Sequence, residues 1–144
     1  MNAELPLFSP SQRQALQFGL KAEDEPILLW PGSIRSGKTF ACAWALGMLS
    51  FKHQHQHFIL GGRTVASLYR NVRPYLQEVA ALFGLEVRTV QSKEIILIGS
   101  NEFHCFGANN EKSQDAMQGM TAQGGLLDEV ALLPEGFILS LIHI

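Results

Sequence analysis

The segment Gly32-Ser33-Ile34-Arg35-Ser36-Gly37-Lys38-Thr39 satisfies the pattern G-x-x-x-x-G-K-[ST] at every fixed position. It constrains the fold more than any other feature, because such a loop works only between a strand and a helix. An apolar run, Ile27-Leu28-Leu29-Trp30, leads into it, and a helix-compatible run, Phe40-Ala41-Cys42-Ala43-Trp44-Ala45-Leu46, leads out. The glycines let the backbone curl so that its N–H groups converge on phosphate oxygens. The start of the helix adds a partial positive charge. Gly32, Ser33, Ile34, Arg35, Ser36, Gly37, Lys38 and Thr39 are therefore expected to hold nucleotide phosphates. Lys38 would reach the terminal phosphates and the Thr39 hydroxyl would bind Mg2+.

A second chemical signal lies downstream. Gly125-Leu126-Leu127-Asp128-Glu129 reads as a strand ending in two carboxylates. In a nucleotide-binding α/β sheet, ligands bind at the carboxyl ends of strands. An aspartate there holds the Mg2+ that Thr39 also touches, and a glutamate directly after it orients and deprotonates an attacking water. The pair points to hydrolysis of ATP rather than transfer of phosphate to an acceptor.

The rest of the chain fits an α/β fold with a mostly parallel sheet flanked by helices and a small β-hairpin. Ser9 to Leu20 reads as a short helix with Ser9 as cap and Pro10 in its first turn, Leu16 and Leu20 sharing a face. Lys21 to Pro26 is a charged loop and Ile27 to Pro31 the first buried strand. Lys38 to Phe51 is a helix, Lys52 to His57 a polar turn, and Phe58 to Arg63 a second strand. Thr64 caps a helix reaching Phe83, broken or kinked near Pro74 and closed by Gly84. Glu86 to Val90, Glu94 to Ile98 and Glu102 to Phe106 are β-prone, with a turn at Ile98 to Glu102, so they form a hairpin or meander. Gly107 to Gln118 reads as a loop with one helical turn near Gln114 to Met117, and Pro134 opens a further helix.

Composition bounds the class. The chain has 144 residues, 47% hydrophobic and 17% charged, which describes a core-forming chain rather than a disordered one. A net charge of -2 supplies no global basic field, though local basic stripes are compatible with it. Cys42 and Cys105 stand outside any metal-ligand spacing, so reduced thiols in an intracellular setting are expected. The start of the chain lacks the basic-then-apolar order of a signal peptide, and no apolar run approaches a membrane span.

Other residues carry weaker readings. His53, His55 and His57 alternate and would share a face of an extended segment, as a metal site needs, but a polar turn is the preferred reading. His104 and Cys105 point to opposite faces of a strand and read as ordinary strand residues. Trp30 and Trp44 read as packing residues. Arg70 and Arg73 fall on one helix face, either solvated or set against DNA phosphates, and Arg63 is a candidate neighbour of the nucleotide. The last residues, Leu139-Ser140-Leu141-Ile142-His143-Ile144, are what CTG TCT CTT ATA CAC ATC encodes, a transposon end used as a sequencing adaptor. We expect 139–144 to be such an artefact, with the natural gene continuing past Ile138.

The segment from Met117 to Glu135, with its Gly119-Met120-Thr121-Ala122-Gln123-Gly124-Gly125 lead into Asp128-Glu129-Val130-Ala131-Leu132, resembles the magnesium-and-base region of tailed-phage terminase large subunits. The order of features resembles it too: Gln12-Arg13, the phosphate loop, Gly62-Arg63-Thr64, then Asp128-Glu129. The resemblance covers nearly all of Leu7 to Phe137. It implies a P-loop ATPase, with 1–138 the front part of an N-terminal motor domain that drives DNA into a capsid. It further implies that Gln12 reads adenine and that Arg35 stabilises the γ-phosphate, with Lys38 and Glu129 completing the catalytic set and Thr39 and Asp128 the metal set. The implied partners are double-stranded DNA, a portal protein, a small terminase subunit and further copies in a ring, without a membrane, in the cytoplasm of a bacterial host. The family's coupling motif and nuclease domain would lie beyond this chain. Two other classes remain open: a helicase-like or recombinase-like ATPase core, which would carry a second motor domain, and an inactive truncated fragment.

Overall fold

The structure, a computed structural model, describes residues 8–20 and 37–142. The expected strand at Ile27 to Pro31 and the phosphate loop as far as Ser36 lie outside the described residues. So do Lys21 to Pro26, Trp30, His143 and Ile144.

The described helices are α1 (Pro10–Leu20), α2 (Lys38–Ser50), α3 (Val65–Asn71), α4 (Arg73–Leu82), α5 (Glu111–Gln118) and α6 (Glu135–Ile142). The strands are β1 (His57–Gly62), β2 (Val87–Val90), β3 (Ile95–Ile98), β4 (Asn101–Gly107) and β5 (Gly124–Leu127). They form one sheet in the order β2-β3-β4-β1-β5. β1 pairs in parallel with β4 and β5, whereas β2-β3-β4 is an antiparallel meander. Among the described residues the sheet is therefore mixed, with the parallel part at the β1–β5 side.

Burial follows the two-residue period of the strands. Phe58 and Leu60 of β1, Ile96 and Ile98 of β3, Phe103 and Cys105 of β4 and Leu126 of β5 join Ala43, Leu46, Leu68 and Leu76 in the core under α2, α3 and α4. Ile59 and Phe106 point to the other face and pack with Met117, Leu133 and Phe137 beneath α5 and α6. Beyond its first residue β1 is buried throughout, as expected of a parallel strand covered on both faces. A third cluster joins Leu16, Trp44, Ala45 and Val79, which seats α1 on α2 and α4. Trp44 is a packing residue, flanked by Phe8 and Phe40.

Several boundaries differ from the sequence reading. The helix read from Thr64 to Phe83, broken or kinked near Pro74, is indeed broken into two, because Val72 leaves ideal helical geometry and Pro74 opens the next turn. Arg70 and Arg73 consequently sit on different helices rather than on one face. Arg73 Nε donates to Thr89 Oγ1 at 2.6 Å and ties α4 to β2. Thr64 does cap α3, in a reciprocal capping box with Ser67, and Gly84 takes a left-handed φ of 67° after α4. His57 belongs to β1 rather than to the preceding turn. The stretch expected as a loop with one helical turn holds α5, whose Asn110 side chain accepts from the Lys112 N–H. Helix α6 runs without interruption through Leu139 and Ser140.

Candidate nucleotide site

Gly37 has φ 77° and ψ 19°, a left-handed conformation that costs glycine little. A side chain there would also collide with the amide nitrogen of Gln12. The positive φ is what favours glycine at position 37, since the Gln12 amide is the end of a flexible side chain that could move; its proximity shows that α1 lies against the end of the phosphate loop. Gln12 itself closes a capping box at the start of α1: its backbone N–H donates to Ser9 Oγ at 3.2 Å, and its Oε1 accepts from the Ser9 N–H at 2.9 Å. Its amide nitrogen faces Gly37.

From Gly37 the chain enters α2 directly, with the Ala41 N–H donating to the Gly37 carbonyl at 3.0 Å. Lys38 and Thr39 are the first two helical residues. The Thr39 hydroxyl donates to Asp128 Oδ1 at 2.7 Å, joining residues 89 positions apart. The distance is short, as befits a charge-assisted bond. Asp128 is only 8% exposed, and its N–H donates to the Gly61 carbonyl at 2.9 Å, which continues the β1–β5 ladder one step past the strand end. The first carboxylate is therefore fixed at the carboxyl ends of two parallel strands, beside the start of α2.

Glu129 behaves differently. It adopts φ 53° and ψ 47°, left-handed for a residue with a side chain. The chain then turns into a short 3-10 segment, Val130–Leu132, and the Glu129 side chain is exposed. Two neighbouring carboxylates are thus separated into a buried one and an accessible one.

Cys42, one turn along α2 from Thr39, borders this site. Burial above all, with the Asp128 carboxylate adding to it and Lys38 opposing, pushes its thiol up to about 12. Cys105 is pushed up to about 12 as well, by burial first and then by Glu94. Both therefore stay protonated at neutral pH.

Arg35, together with Gly32, Ser33, Ile34 and Ser36, lies outside the described residues. Arg63 is exposed, and its carbonyl accepts from the Asn109 N–H at 3.2 Å. A cavity of about 320 Å³ lies elsewhere, between β4 and α5, bordered by Glu94, His104, Asn110 and Met120. Neither Thr39 nor Asp128 lines it.

The sequence reading missed one constellation. His57 Nδ1, Glu102 Oε2 and His104 Nε2 converge, with separations of 3.0 Å between the two rings and 3.2 Å from each ring to the carboxylate. His53 and His55 are not part of it. The available signal was the spacing Glu102-x-His104 in a strand, which puts both side chains on one face. The parallel register that brings His57 opposite Glu102 was not readable from sequence. Burial, reinforced by the neighbouring His57, holds the His104 ring below the ordinary imidazole range, and Glu102 opposes that shift.

Comparison with known proteins identifies the family. Residues 30–141 match the family model described as terminase large subunit, T4likevirus-type, N-terminal. No curated protein matches the chain. Among solved structures, it is similar to the large terminase of a thermophilic bacteriophage. One crystal form of that protein aligns with a TM-score of 0.83 and 33% identity, over 94% of this chain and 36% of that one. Its complex with ADP aligns with a TM-score of 0.80 and 31% identity, over 92% and 35%. Its complex with ATP-γ-S gives 0.79 and 30%, over 93% and 34%. The chain thus spans about a third of the length of these relatives. Its mixed sheet with flanking helices is the fold of the terminase ATPase domain, and the chain belongs to the family of terminase large subunits.

Proposed function

We propose that this chain binds and hydrolyses ATP as the motor portion of a terminase large subunit, powering movement of double-stranded DNA into a capsid. The observation that carries the reading is the hydrogen bond from Thr39 to Asp128. It joins the first turn after the phosphate loop to the end of β5, as an ATP–Mg2+ site requires. A hydroxyl and a carboxylate are hard oxygen donors, which suits Mg2+. That ion would neutralise charge on the phosphates.

The proposed roles rest on the sequence motif and, for Thr39, Asp128, Glu129 and Gln12, on the contacts and positions described above. The loop from Gly32 to Gly37, with Lys38, holds the phosphates, and Thr39 and Asp128 hold the metal. Glu129, exposed beside them, orients and deprotonates water. Arg35 offsets charge that develops on the γ-phosphate. Gln12, already against Gly37, reads adenine through its amide nitrogen and the remaining lone pair of Oε1. The portal protein, the small terminase subunit and further copies in a ring are the proposed partners, in the cytoplasm of the host. The ligands of the two phage terminase complexes support the nucleotide. Among the described residues no helix is long and apolar enough to cross a membrane.

The test compares two variants of this chain in ATP–Mg2+ binding and phosphate release. Lys38→Ala is expected to lose binding and turnover together. Glu129→Gln is expected to bind normally and to turn over about 10²–10⁴-fold more slowly, the span of a general base. A Glu129→Gln protein with unchanged turnover would remove Glu129 from the mechanism.

A further inference from the structure

We propose that His57, Glu102 and His104 form a binding site for a first-row transition-metal dication of the zinc class. The site lies at the end of β1 opposite Asp128. From His57 to Gly61, where β1 meets Asp128, is about 13 Å along the strand.

The topology creates the cluster. The parallel ladder pairs His57 with Glu102, so the two side chains leave the same face of the sheet. His104, two residues on, shares that face. Each residue contributes one atom, and the three atoms form a nearly equilateral triangle with edges of 3.0, 3.2 and 3.2 Å. Three ligands on a tetrahedral zinc ion, at bond lengths of about 2.0–2.1 Å, stand about 3.3–3.4 Å apart. The triangle already has that size to within a few tenths of an ångström.

Hydrogen bonding does not account for all three contacts. A neutral imidazole nitrogen is either a donor or an acceptor, and a carboxylate only accepts. Two N–H groups, one from each ring, can be donated to Glu102 Oε2, but this leaves the 3.0 Å contact between the two ring nitrogens without a hydrogen of its own. A single cation on the axis of the triangle satisfies all three lone pairs together. Two imidazoles and one carboxylate select zinc, nickel or copper over magnesium, so this site and the Thr39–Asp128 pair discriminate between ions. The His57 and Glu102 side chains are 49% and 39% exposed, which leaves a path for the ion and room for a water as fourth ligand.

The experiment uses the whole chain, stripped with a chelator and titrated with Zn2+ against a chromophoric chelator in millimolar Mg2+. One Zn2+ per chain is expected to bind without displacement by Mg2+. His57→Ala and Glu102→Gln are each expected to weaken it about tenfold or more, while the double variant His53→Ala/His55→Ala leaves it unchanged. Circular dichroism checks folding. Because His57 is half-exposed, its loss should not unfold the chain, and Glu102→Gln, nearly isosteric, carries the test if it does. The proposal is overturned by absence of Zn2+ binding, by wild-type affinity in both single variants, or by loss of binding in the His53/His55 variant. None of these outcomes depends on nucleotide, so the result stands apart from the proposed ATPase activity.

Discussion

The two ends of β1 are built on opposite plans. At its carboxyl end the strand has no side chains at all: Gly61 and Gly62 lie against Leu127 and Leu68, so that backbone meets neighbouring side chains. The polar groups there belong to the neighbours, Asp128 on the end of β5 and Thr39 on the start of α2, which are hydrogen-bonded to each other. At its amino end the strand supplies a polar side chain itself, His57, facing Glu102 and His104 on β4. One end is buried and assembled from distant segments, and the other is half-exposed and assembled from a register between two adjacent strands. In a parallel sheet, then, the carboxyl ends gather loops and helix starts, whereas the amino ends offer only what the strands themselves bring.

Changing one end of β1 and reading the other puts this contrast at risk. Asp128→Asn is expected to lower ATP turnover about 10²–10³-fold, the range for removing one preorganised electrostatic group, with Zn2+ binding at His57 unaltered. A parallel loss of Zn2+ affinity would mean that the two ends are coupled. Next in size is a steric test. A Cβ at Gly61 would stand 2.5 Å from Leu127 Cδ2 and 3.1 Å from Phe137 Cε1. Gly61→Ala should therefore cost about 1–3 kcal/mol through overpacking, whereas His57→Ala should stay within about 0.5 kcal/mol. Thermal melts of the two variants measure this directly, and equal shifts would erase the asymmetry.

The smallest effect, absent at neutral pH, comes from the cysteines. Burial raises both folded thiols to about 12 from 9.0. The unfolded thiols lose their protons first as pH rises, so the unfolded state binds fewer protons than the folded one in that window. Stability is then fully present below pH 9 and falls between about pH 9 and 12. Cys42→Ala and Cys105→Ala should each flatten that fall, as followed by denaturant titration at about pH 7 and about pH 10. Because Asp128 is the second cause of the Cys42 shift, Asp128→Asn should lower that thiol's pKa, while burial keeps it raised.

Much of this was legible in the sequence because it rests on local rules. The Thr64 cap, the break before Pro74, the left-handed Gly84 and the strand ending at Asp128 each follow from a residue and its immediate neighbours. Helix α5 was legible only as one turn near Gln114 to Met117, for a physical reason. Its sequence, EKSQDAMQ, offers almost no apolar stripe, and Met117 anchors it to the core. The histidine–glutamate cluster escaped because its members meet only through a parallel register, and register leaves no trace in either strand alone. Gln12 shows the mixed case: Ser9 was readable as the cap of α1, but the return bond from Gln12 and its contact with Gly37 needed the structure.

The left-handed turn at Glu129 has a consequence for how such a chain can change over generations. A left-handed residue with a side chain gives up about 1–2 kcal/mol that glycine would not. Drift toward stability alone would favour glycine there and remove the carboxylate. A glutamate in that conformation is therefore the kind of residue that selection for turnover maintains and selection for folding erodes. In a copy of this chain released from its function, Glu129 joins Glu94, which has the same left-handed backbone, as a place where a stabilising loss of the carboxylate should be found.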